Sequence, residues 1–148
     1  MNRVQRALFF SFLIILSLRS SAETSPKIRV VFGVLGDDAG LNNQITSYFT
    51  RELRDIPDIE LISGLDLDYI IVVTAQRMRI KSGEAIGWVM FVMLQAPSEC
   101  AHGTDSPERV VKAMYLQQGA QDDLKGECQR IVADIDAVHL PRANHQNK

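Results

Sequence analysis

The chain has 148 residues, 46% of them hydrophobic and 23% charged, with a formal net charge of −2. That length suits one domain with one modest core. The charge argues against nucleic acid or an anionic membrane as the main partner, since phosphate binding needs a basic surface.

The first residues read as an export signal. Arg3 and Arg6 make a basic start, Ala7 to Leu18 is an apolar run, and Ser20-Ser21-Ala22 puts small residues before a cleavage point expected between Ala22 and Glu23. The run is well short of the ~20 apolar residues of a spanning helix, so residues 1–22 read as a signal peptide, with no stable membrane insertion after cleavage; the alternative is an uncleaved anchor. No cysteine stands near that point to take a lipid. Cleavage removes three arginines and no acid from 16 basic and 18 acidic side chains, leaving a net charge of −5. An exported chain works in the periplasm or outside the cell, where Cys100 and Cys128 are most simply a disulfide. Such a bridge would stabilise the domain by roughly 3–4 kcal/mol in the chain-entropy model. Alternatively Cys128, which falls on an apolar helix face, is a buried thiol.

Residues 23–140 read as a single α+β domain. Ile28 to Leu35 is β-branched and mostly apolar, a first strand, and Gly36 to Gly40 is a turn. From Leu41 the period changes. Leu41, Ile45, Tyr48, Phe49, Leu53 and Ile56 recur at helical spacing, with Asn42 or Asn43 placed to cap the start and Pro57 to force the end. Asp58 to Ser63 is a short strand that completes a β-α-β unit. Tyr69 to Ile80 and Ala85 to Leu94 are long strands joined by the polar loop Lys81-Ser82-Gly83-Glu84, the sequence sign of a hairpin. A loop with two prolines and a glycine, Gln95 to Pro107, leads to a further strand over Glu108 to Gln117. Leu124, Cys128, Ile131, Val132 and Ile135 then form the apolar stripe of a last helix, and residues 141–148 are a polar tail expected to be disordered. The order β-α-β-β-β-β-α predicts one mostly antiparallel sheet with two amphipathic helices packed on one face.

In the second hairpin strand both alternating sets are apolar: Ile86, Trp88, Met90, Val92 and Leu94, and also Val89, Phe91 and Met93. A strand apolar on both sides needs cover on both faces, and two helices on one face leave the other bare. A bare apolar sheet face dimerises or binds a partner, and Trp88, Met90, Val92 and Leu94 are the candidate interface residues.

Signals for catalysis are weaker. Gly33-x-x-Gly36-Asp37-Asp38-Ala39-Gly40 has neither the spacing of a dinucleotide loop nor the Lys-Ser of a phosphate loop. Its two carboxylates would repel a phosphate, so it reads as a turn that helps cap the helix. Cys100-Ala101-His102 sets a thiol near a base but supplies no third group to orient His102. Zinc held by Cys100, His102 and Cys128 with His139 or His145 lacks paired ligand spacing. No catalytic residue, metal ligand or cofactor is therefore expected. Asp66 with Asp68, and Asp134 with Asp136, read as solvated charge. Arg77, Arg79 and Lys81 form a small basic stripe that Glu84 offsets. Trp88 reads as core or interface and not as a ligand-stacking platform.

The strand Ile28 to Leu35, the helix ending at Leu53, and Leu65-Asp66-Leu67-Asp68-Tyr69-Ile70-Ile71-Val72 together resemble small bacterial envelope modules of β-α-β-β type. The N-terminal domain of the Tol-system translocation protein and the outer-membrane secretion lipoproteins of curli type are examples. The resemblance covers residues 28–94 at most and rests on pattern. The lipid-anchor cysteine of the second group and the propeller of the first have no counterpart here. Asp122-Asp123-Leu124 and Ile131-Val132-Ala133-Asp134 also resemble stretches of small exported bacterial proteins of unknown function. The resemblance implies a non-catalytic envelope module. The expected function is thus an exported, non-enzymatic domain that binds another protein or itself. The competing reading is a small thiol- or metal-dependent hydrolase built on Cys100 and His102, with Asp37 or Asp38.

Overall fold

The computed structural model describes residues 27–98 and 108–140. Its elements are β1 (Ile28–Leu35), α1 (Ala39–Arg54), β2 (Ile59–Leu61), β3 (Tyr69–Arg79), β4 (Ala85–Pro97), β5 (Arg109–Gly119) and α2 (Leu124–Asp134), the expected β-α-β-β-β-β-α order. A 3-10 turn over Gln121–Asp123 leads into α2, and a π-helical turn over Ile135–His139 follows it. The signal segment and the polar tail lie outside the described residues.

Local chemistry sets where α1 begins. Asp38, not Asn42 or Asn43, is its N-cap: the Asp38 carboxylate accepts from the Leu41 N–H at 2.9 Å. Asn42 instead donates its side-chain N–H to the Gly36 carbonyl at 2.8 Å. The helix stops at Arg54, short of Pro57, with Arg51 and Arg54 in the last turn where cations complement the dipole. Leu41, Ile45, Phe49 and Leu53 recur every four residues and are all buried. On α2 the buried stripe is Leu124, Cys128, Ile131 and Val132, continued by Ile135.

The five strands form one mixed sheet in the order β2-β1-β3-β4-β5. β1 lies parallel to β2 and to β3, while β3–β4 and β4–β5 are antiparallel and much longer. By paired length the sheet is therefore mostly antiparallel. The β3–β4 turn closes through the Gly83 N–H to the Ile80 carbonyl, with Gly83 at φ +87°, a value glycine adopts without steric cost.

Both helices cover the same face. Beneath them lie Val30 of β1, Ile71, Val73 and Ala75 of β3, and Trp88, Met90, Val92, Leu94 and Ala96 of β4, none more than 4% exposed. Phe32 of β1 stacks on Phe49 of α1 with ring centroids 5.2 Å apart. The Gln129 side chain donates to Glu52 at 3.0 Å and ties α2 to α1.

Candidate protein-binding face

Register decides what faces away from the helices. Side chains alternate along a strand, and residues opposite one another share a face. Burying Ile71 and Val73 sends Ile70, Val72, Thr74 and Gln76 outward, and with them their β4 partners Gln95, Met93, Phe91 and Val89. β5 extends these rows with Val111, Met114, Leu116 and Gln118, and β1 adds Val31, Gly33 and Leu35 on the other side. Three rows therefore cross four strands: Val31–Ile70–Gln95–Val111, Gly33–Val72–Met93–Met114 and Leu35–Thr74–Phe91–Leu116. A bulge opposite Leu94 and Gln95 leaves Lys112 unpaired. That extra residue lets Val111 point outward while Ala113, two positions on, packs against the core.

The rows hold no charged side chain. Leu35 is 60% exposed, Val111 47%, Met114 65% and Leu116 70%, and Phe91 stands at the middle of the face. Val31, Ile70, Val72, Val89 and Met93 are half-buried among them. Strand and row spacing make the block roughly 20 Å on a side, on the order of 400 Å². Patches of that size on a soluble monomer are commonly functional.

The four residues expected at the interface lie on the opposite face. Met90, Val92 and Leu94 are 0% exposed and Trp88 only 2%, so they belong to the chain's own core. The Trp88 indole N–H donates to the Ala120 carbonyl at 2.8 Å, and its ring lies over Gly119, its partner in register. β4 is apolar on both sides as expected, but among the described residues the side left without cover is that of Val89, Phe91 and Met93. Thr74 and Gln76 on β3 were the signal for this, since polar residues mark the solvent side of the strand that β4 pairs with.

The polar clusters serve the fold. Asp38 accepts from Arg77 at 2.7 Å and from Arg79 at 3.3 Å in addition to capping α1. The Leu41 N–H, then the Arg77 guanidinium, hold its carboxyl below the usual carboxylate range. Arg77 also donates to Gln121 at 2.9 Å, and Arg79 to the Gly83 carbonyl at 3.0 Å. Asp38, and not Glu84, thus pairs with the two arginines of the basic stripe and clamps the start of α1 to β3. With Asp37 and Gln76 these residues line a shallow pocket. Asp66 and Asp68 are not free charges, because both grip Arg29, Asp68 also accepting from the Arg29 backbone N–H at 2.8 Å. Burial pushes Asp68 up, but its bonds to Arg29 outweigh that and hold it below its ordinary value. Asp134 accepts from the Tyr115 hydroxyl at 2.7 Å.

Cys128 is a free, fully buried thiol, pushed up to about 12 chiefly by burial. A group so held is protonated at neutral pH and is no nucleophile. Cys100, His102 and His145 lie outside the described residues, and the hydrolase loop with them; of the expected bridge only Cys128 is described, and it carries no disulfide. Among the described residues no three His, Cys, Asp or Glu side chains are placed to share a metal ion. No described helix is long and apolar enough to cross a membrane.

No protein-family model and no curated protein matches the chain. Among solved structures, it is similar to a PelC dodecamer from Paraburkholderia phytofirmans (TM-score 0.46, 12% identity, 77% of this chain and 88% of that one). It is similar also to a Xanthomonas campestris protein of the family model DUF330 (0.43, 12%, 76% and 86%). A third is a minor lipoprotein from Acinetobacter baumannii (0.33, 16%, 78% and 97%). Likeness at this level says nothing of what the chain binds or does.

Proposed function

We propose that the chain is an exported, non-catalytic envelope module that docks a protein on the sheet face opposite its two helices. The supporting observation is the uncharged three-row block centred on Phe91. Apolar surface is worth roughly 25 cal/mol per Å² when removed from water, so covering this block is a ready source of binding free energy. The lack of charge across the rows favours an apolar protein surface over nucleic acid or an acidic peptide. Export rests on the signal-like residues 1–22. The hydrolase reading gains nothing from Asp38, whose carboxylate is committed to a helix cap and two arginines.

The test is photo-crosslinking in cells that export the full chain. A photoreactive residue at Phe91 or Val72 should give protein adducts, and one at the exposed Ser47 of α1 should not. Adducts from Ser47 alone, or none from either sheet position, would refute the docking face.

A further inference from the structure

We infer that the free edge of β5 joins two copies of this chain by antiparallel strand pairing, giving one continuous sheet across a twofold axis. The two edges of the sheet are guarded unequally. β2 is three residues long, carries the exposed Glu60 and follows Pro57, the usual devices against edge pairing. β5 is eleven residues long, and no described strand lies on its outer side. Its protection sits at one end, where Arg109, Lys112 and the bulge interrupt it. From Ala113 to Gly119 it has no charge, no proline and no register shift. That stretch offers a row of backbone donors and acceptors for another strand.

A second copy is the occupant the local chemistry fits. With Tyr115 on the axis, Met114 lies opposite Leu116 of the second copy, and Lys112 opposite Gln118. With Leu116 on the axis it meets itself, and Lys112 falls opposite Ala120. In neither register do like charges meet. Glu127 and Arg130, on α2 close to β5, are paired with one another, so each copy presents both signs there. Each copy has one such edge, so a twofold pair consumes both and closes. The join also runs the exposed Met114 and Leu116 of one copy into those of the other, making one wider apolar face. It extends the docking reading but stands on a different feature, the strand edge, and fails separately from it.

The experiment uses the mature chain in light scattering and amide exchange. At tens of micromolar we expect twice the monomer mass, and amides within 113–119 that exchange at least about tenfold more slowly than in dilute solution. Successive residues point their N–H groups to opposite sides of a strand. Of Leu116→Pro and Gln117→Pro, one therefore removes only an outward donor, and that variant should fold and be monomeric. Phe91→Lys, in the middle of the bare face and away from the edge, should keep the doubled mass even if it abolishes crosslinking. A monomer at every concentration would overturn the inference. So would a dimer whose 113–119 amides stay unprotected, a folded proline variant that still pairs, or loss of the dimer in Phe91→Lys.

Discussion

Truncating leucines on the two faces tests the assignment of inside and outside directly. Leu94 is 0% exposed, lies opposite Ile71 and Ala113, and faces the helices. Leu94→Ala removes buried methyl groups and leaves a cavity that a closely packed core closes only in part, costing about 3 kcal/mol. With a urea m-value of about 2 kcal/mol per M for a domain this size, the midpoint falls by roughly 1.5 M. Leu116, 70% exposed, has under a third of its surface to lose, so Leu116→Ala costs roughly 0.5 kcal/mol and moves the midpoint only slightly. Both are read by circular dichroism in urea, at concentrations where the chain is monomeric. If Leu94→Ala costs less than about 1 kcal/mol, or Leu116→Ala costs as much as Leu94→Ala, the sheet is covered on the other side and the docking face is misassigned.

Three further outcomes are expected. A Cβ on Gly36 would lie 2.3 Å from the Ala75 carbonyl oxygen and 2.7 Å from the Asn42 side-chain oxygen, so Gly36→Ala must move backbone and should cost about 1–3 kcal/mol in thermal or urea unfolding. The Asp38 carboxyl is held below its ordinary value, so folding favours its charged form. Its contribution is full above the unfolded value near 4 and is lost as pH falls through the lower folded value. Asp38→Asn should therefore lower the melting temperature at pH 7 and narrow its gap to wild type at acid pH; an unchanged gap would remove the clamp. Cys128 should resist iodoacetamide at pH 8 in the native protein and take the label once unfolded without reductant. Labelling in the native state would contradict its burial, and no label after unfolding would reveal a bridge to Cys100.

Elements whose cause lies within a few residues were legible in the sequence. The four-residue recurrence of Leu41, Ile45, Phe49 and Leu53 specifies α1, and the hairpin turn at Gly83 specifies the β3–β4 pairing. Helix boundaries moved where capping chemistry competed. The turn from Gly36 to Gly40 was legible as helping to cap the helix, and Asp38 does so by accepting from Leu41, while Asn42, the other capping candidate, turns back to Gly36. The reach of Arg77 and Arg79 to Asp38 joins groups about forty residues apart, which only the parallel pairing of β1 with β3 brings together.

The facing of β4 is a different kind of problem, because its own residues do not contain the answer. With Trp88, Met90 and Val92 on one side and Val89, Phe91 and Met93 on the other, either side is apolar enough to be core. Aromatic size makes Trp88 look like an anchor. The neighbouring strand breaks the tie. Along β3, Thr74 and Gln76 share a side, and burying them would leave polar groups without water. The hairpin register sets Thr74 opposite Phe91 and Gln76 opposite Val89, so the face that keeps those two solvated must also expose Phe91. Arg77, opposite Trp88 on the other face, is polar too, but Asp38 and Gln121 accept from it, so over residues 70–76 the polarity of β3 favours this surface and hydrogen-bond register passes the choice to β4. Exchanging Thr74 and Gln76 for valines should accordingly weaken the preference for one face without touching a residue of β4.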